Sequence, residues 1–168
     1  DRVMVFGGAM MEGHFPGSSL IPFGSGFDGN AIAGVAYSRR LYEFSNGIEI
    51  GAEAGLAARF GRDLTGEAWA GFSLGHEGFQ FGRVTVAPAV VLGLSAVTTA
   101  SGIEARRAGK DGDATLLFYL GPEIALRHQR FPNVELVYRI HHRSGAWNAL
   151  GNMRDGYNGN IIGLRFGF

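Results

Sequence analysis

The chain has no cysteine. That absence excludes a disulfide framework, a thiolate metal site and a cysteine nucleophile, and it leaves the redox compartment open. There is no excess of either charge: Lys plus Arg number 15 and Asp plus Glu 15. Nothing here supplies the basic field that nucleic-acid binding uses, so no nucleic-acid partner is expected. Charged residues are 18% of the chain, against roughly 25% in ordinary soluble domains, yet no apolar run approaches the about 18 residues of a membrane helix. A helical membrane protein is excluded. The five histidines, His14, His76, His128, His141 and His142, show no metal-ligand spacing and no accompanying carboxylate cluster. Neither a metal nor any other cofactor is expected. The sequence opens at Asp1 without a basic segment and an apolar run, so a secretory leader is expected to be absent or already removed, and the unusual first residue favours removal.

What is present is glycine, 28 residues in 168, among 46% hydrophobic residues and with no three-residue period. That pattern fits neither collagen nor disorder, so glycine is used inside ordered structure. The ruling periodicity is two. From Ile48 to Phe60 one parity reads Ile48, Ile50, Ala52, Ala54, Leu56, Ala58, Phe60, and the other Glu49, Gly51, Glu53, Gly55, Ala57, Arg59. This is a strand with one apolar face and one small or charged face. It is longer than the roughly 5 to 6 residues of soluble sheets and long enough to cross a bilayer as a tilted strand. The pattern recurs over 67–75, 84–97, 120–127, 134–140 and 162–168, with weaker runs over 2–10 and 30–39. About eight strands result, the smallest usual size for an outer-membrane barrel. The fold class is therefore all-β, an eight-stranded antiparallel transmembrane β-barrel, with 1–168 as its single domain.

In so narrow a barrel the charged parity must face inward and be crowded, so Trp69 needs small neighbours and glycine makes room. Glu49, Glu53, Arg59, Glu67, Glu123, Arg127, Glu135, Arg139 and Arg165 carry both signs and are expected to pair in the lumen. With both termini periplasmic, the external connections are 11–29, about 61–64, 98–113 and 145–156, and the opposite turns lie near 41–46, 76–82 and 128–132. The stretch from His14 to Gly29, rich in Gly, Ser and Pro, reads as a mobile loop rather than a phosphate cradle.

One strand breaks its own pattern. Outward positions Val134, Leu136, Tyr138 and Ile140 are followed by His142 and Ser144, a poor choice for burial in hydrocarbon. Two readings stand. Either the strand has reached the headgroups, where His and Ser meet water, or His142 is a base within reach of a serine nucleophile, since side chains at i and i+2 share a face. His141, on the lumen parity, is expected in an internal hydrogen-bond network. The last strand likewise runs outward through Asn158, Asn160, Ile162, Leu164, Phe166 and Phe168, bringing polar groups beside His142. An Asn there is either a headgroup-level amide or the third group that orients the imidazole.

The segment His142-Arg143-Ser144-Gly145, the Asp155-Gly156 before the final alternating strand and the aromatic C-terminus resemble the PagL-type lipid A 3-O-deacylases, outer-membrane barrels with a His-x-Ser-Asn motif. The resemblance covers about the last 35 residues. It implies that His142 is general base and Ser144 nucleophile, on the outer face towards the external leaflet. The chain departs from the family at two points. The Asn after the motif's serine is Gly145, whose backbone N–H is left to serve an oxyanion hole. The family's acidic triad member falls on Asn158, with Asp155 as the alternative orienting acid. The second oxyanion group, an Asn in the last loop, has Asn152 as counterpart.

The expected function is a serine esterase that removes an ester-linked (3-O) acyl chain from lipid A, without a cofactor, in the outer membrane of a Gram-negative bacterium. Its partners would be lipid A or lipopolysaccharide and outer-membrane lipids. The alternatives are a non-catalytic outer-membrane barrel acting structurally or through its 11–29 and 98–113 loops, and a soluble lipocalin-like barrel, which the inward charges disfavour.

Overall fold

In the computed structural model, which describes residues 1–15 and 26–168, alternation is carried into geometry along the long strands and gives way to continuous burial over 139–143 and 157–159. The strands are β1 (Arg2–Met11), β2 (Phe27–Glu43), β3 (Ile48–Gly61), β4 (Thr65–His76), β5 (Phe79–Phe81), β6 (Val84–Val97), β7 (Leu116–His128), β8 (Val134–Ser144) and β9 (Tyr157–Gly167), with helix α1 (Gly102–Ala108) between β6 and β7. Each long strand pairs antiparallel with its sequence neighbour, β4 pairs with β6, and β1 pairs with β9 to close the ring. Eight staves form the barrel, and the three-residue β5 only lengthens the turn into β6.

The exterior is apolar. Leu56, Phe72, Leu92, Ile124, Leu136 and Leu164 are all exposed, whereas Glu53 and Glu123 are buried. A soluble domain would bury the first set, so this inverted distribution is that of a transmembrane barrel. The lumen is filled by two kinds of packing. Met4, Phe6, Ile32, Trp69, Val91, Tyr119 and Val137 form an apolar layer. Gly55 makes space for it, because a Cβ at that position would overlap the Trp69 ring. Around this layer the inward charges pair: Arg139 with Glu53 at 2.6 Å and Glu123 at 2.5 Å, Arg165 with Glu123 at 2.5 Å and Glu135 at 2.7 Å, and Arg59 with Glu67 at 2.5 Å. Arg127 reaches Glu135 at 3.4 Å, and Glu49 is held by Arg2 and Arg40. His141 contacts Glu67 at 2.9 Å and the Tyr119 hydroxyl at 3.2 Å, within the expected internal network.

Three expectations need amendment. Strands β2 and β7 run further than their alternation signalled, because β2 begins at Phe27 and ends at Glu43, and β7 begins at Leu116. The stretch 98–113 is not simply a loop. Helix α1 folds back over the barrel mouth and buries Ile103 and Glu104. Of the loop expected over 14–29, residues 16–25 lie outside the described residues, while 27–29 belong to β2.

Candidate active site

The long connections of this barrel gather at one end, and outward residues of β6, β7 and β8 towards that end line a groove of about 810 Å³. Leu92, Phe118, Leu120 and Trp147 give it an apolar floor and rim, and His142 and Ser144 lie in its wall with Arg154 and Asp155. His142 and Ser144 stand two residues apart on β8, opposite Leu120 and Phe118 of β7 respectively. Strand pleating sets both on the outer face and directs the residue between them, Arg143, into the lumen, where it is fully buried.

On the other side of β8, His142 lies directly opposite Asn158 of β9. The Asn158 Oδ1 is 2.5 Å from the His142 Nδ1. Which end of the amide faces the ring follows from its second contact. The Asn158 Nδ2 donates to the Gly13 carbonyl at 2.5 Å, which only the NH2 end can do. Oδ1 is therefore the atom turned to the imidazole, and as an acceptor it requires the proton on Nδ1. Nε2 is left with its lone pair. A ring in this tautomer can take a hydroxyl proton. One rung further from the loops, the Tyr138 hydroxyl donates to the Asn160 Oδ1 at 3.0 Å, continuing the polar strip along the β8–β9 seam.

The imidazole is also covered. Phe15 stacks on it with ring centroids 4.5 Å apart and 27° between planes, so His142 is largely shielded from water. Sequence reading did not find Phe15, because nothing in the 14–29 stretch shows by spacing that it returns to β8.

The other expected site residues are placed as follows. Asp155 lines the groove, but its carboxylate is taken by His14, by Arg107 at 3.5 Å and by the Gly156 amide at 2.9 Å, so His142 faces Asn158 and not Asp155. Gly145 follows Ser144 at a point where the 145–153 loop turns back on itself, and a Cβ there would overlap the carbonyl oxygens of Met153 and Leu150. The backbone permits no Asn at that position without rearranging. Asn152 is not brought to the groove. Its side chain donates to the Asp111 carbonyl at 3.3 Å and its backbone is left-handed. In its stead, Ala146 and Trp147 carry the left-handed turn that borders Ser144.

No family model matches the chain, and no curated protein matches it. Several solved structures share its fold, three of them as follows. The outer membrane enzyme PagL aligns over 100% of both chains with TM-score 0.66 at 14% identity. Neisserial surface protein A aligns over 99% of this chain and 96% of its own with TM-score 0.58 at 14% identity. The N-terminal β-barrel domain of Pseudomonas aeruginosa OprF aligns over 99% and 96% with TM-score 0.52 at 11% identity. At these identities the likeness shows the eight-stranded outer-membrane barrel fold. It does not choose between an enzyme and a barrel without catalysis.

Proposed function

We propose that the chain is a serine esterase of the Gram-negative outer membrane that hydrolyses an ester-linked acyl chain of lipid A, with its site towards the outer leaflet. The observation that carries the reading is the Asn158–His142 pair beside Ser144 in the wall of an apolar groove on the lipid-facing side. A headgroup-level histidine needs no partner that fixes its tautomer and no aromatic cover.

In this reading the Ser144 Oγ attacks the ester carbonyl carbon while His142 Nε2 takes the hydroxyl proton. The tetrahedral intermediate collapses with cleavage of the ester C–O bond, and the imidazolium returns the proton to the departing alcohol oxygen. Water, deprotonated by the same imidazole, then releases the fatty acid from Ser144. Asn158 holds the ring without adding a negative charge, so it orients imidazolium but stabilises it less than a carboxylate does. The Gly145 N–H and the amides of the left-handed Ala146–Trp147 turn would serve as the oxyanion donors. Leu92, Phe118 and Leu120 would take the acyl chain.

Mass spectrometry of lipid A from cells with and without this protein tests the reading. Loss of one hydroxyacyl unit is expected. Unchanged lipid A in expressing cells would leave the second reading, a non-catalytic barrel acting through its loops.

A further inference from the structure

Helix α1 reaches the candidate site from two sides without touching the groove's reacting atoms. From inside the barrel, Glu104 is ion-paired with Arg143, the residue between His142 and Ser144, and with Arg59 at 3.2 Å. The Arg143 Nη2 donates to the carbonyls of Ser95 at 3.1 Å and Ala114 at 3.1 Å, while its Nε lies 3.6 Å from Glu67 and makes no hydrogen bond among the described residues. Its guanidinium therefore fastens the end of β8 to β6 and to the chain entering β7. Two arginines and two glutamates, Arg59, Arg143, Glu67 and Glu104, make this buried cluster neutral.

From outside, Arg107 of the same helix donates to the Gly156 carbonyl at 2.5 Å and to the Glu12 carbonyl at 2.7 Å. Gly156 lies two residues before Asn158. Glu12 precedes Gly13, whose carbonyl holds the Asn158 amide, and leads to Phe15 over the imidazole.

We infer that α1 is the positioning element of the site: Glu104 sets β8, and so His142 and Ser144, while Arg107 sets Asn158 and the Phe15 cover. The inference rests on the esterase reading for its kinetic consequence, although the ordering of His142 is a property of the fold alone.

The test uses the full chain refolded in detergent micelles, a short-chain p-nitrophenyl ester as substrate and a fluorophosphonate probe for Ser144. Glu104→Gln and Arg107→Gln are expected to lower kcat about 10- to 100-fold with KM little changed, and to slow Ser144 labelling in step, the size of effect that a displacement near 1 Å produces. The double variant Glu104→Gln/Arg143→Gln leaves Arg59 and Glu67 as a neutral pair. It should recover the thermal stability lost by Glu104→Gln but not kcat. Wild-type kcat in both single variants, or recovery of stability and kcat together in the double one, overturns the inference. Should Glu104→Gln fail to fold, Arg107→Gln decides. If the wild type hydrolyses and labels no faster than Ser144→Ala, it is the esterase reading that fails. The inference is then read from the downfield Nδ1–H proton resonance of His142, whose loss in Arg107→Gln supports it and whose persistence overturns it.

Discussion

Asn158 faces His142 across the β8–β9 ladder and reaches it without crossing the groove, with its amide end fixed by Gly13. A change at 158 therefore acts on the imidazole and not on the groove. Asn158→Ala should lower kcat by about 100-fold, less than loss of Ser144, since it removes orientation and not the nucleophile. Asn158→Glu should leave activity equal or higher by stabilising the imidazolium. Asp155→Asn should matter little, because that carboxylate is turned to His14 and Arg107. Measured rates decide: a crippled Asp155→Asn beside a silent Asn158→Ala makes the loop acid the third member.

Ser144→Ala and His142→Ala should each abolish ester hydrolysis and leave the heat-resistant barrel band on unboiled gels, as both side chains project outward and neither supports the lumen. A nucleophile and its base act as one unit, so the double variant should be little worse than either single one. Retained hydrolysis by either would sink the assignment.

Phe15→Ala uncovers the imidazole. Aromatic stacking contributes about 0.5–1.5 kcal/mol, so kcat/KM should fall a few-fold to about tenfold while the barrel stays folded. An unchanged kcat/KM would make the stack a packing contact only.

Gly145 tests the turn after the serine. Gly145→Ala forces a methyl onto the carbonyls of Met153 and Leu150, so the 145–153 loop must open. Ester hydrolysis should drop with little change in barrel thermal stability, read by circular dichroism at the strand band. Activity equal to wild type would show that the loop relaxes without moving Ser144.

Within the lumen, Arg139→Met leaves Glu53 and Glu123 without their shared cation. Removing one partner of a buried ion pair costs about 3–5 kcal/mol. A lower urea midpoint for unfolding is expected, with Ser144 labelling in the remaining folded fraction intact.

Parity made much of this legible. Leu56 and Glu53 could be assigned to opposite faces from spacing alone, because a two-residue period leaves only one register in which hydrocarbon meets leucine and the lumen meets glutamate. The same period set His142 and Ser144 on the outside, and the β8–β9 hairpin brought Asn158 to His142. Phe15 and Arg107 were not legible, since they reach the site through irregular backbone that carries no period. Glu104 left a trace that went unused. Ser101-Gly102-Ile103-Glu104 has capping-box spacing, and the Ser101 amide donates to Glu104 at 3.4 Å. Arg143 was within reach as well, being on the lumen parity of Arg139 and His141, although its partner came from the helix.

The pairing of Arg139 with both Glu53 and Glu123 has an electrical consequence. These three side chains join β3, β7 and β8 across the interior, beside the Trp69 and Tyr119 rings that stack 5.5 Å apart. Among the described residues, an ion entering from either mouth meets fixed charges already neutralised at contact distance and a layer of packed rings. Inserted in a planar bilayer under an applied voltage, the barrel should pass no steady current.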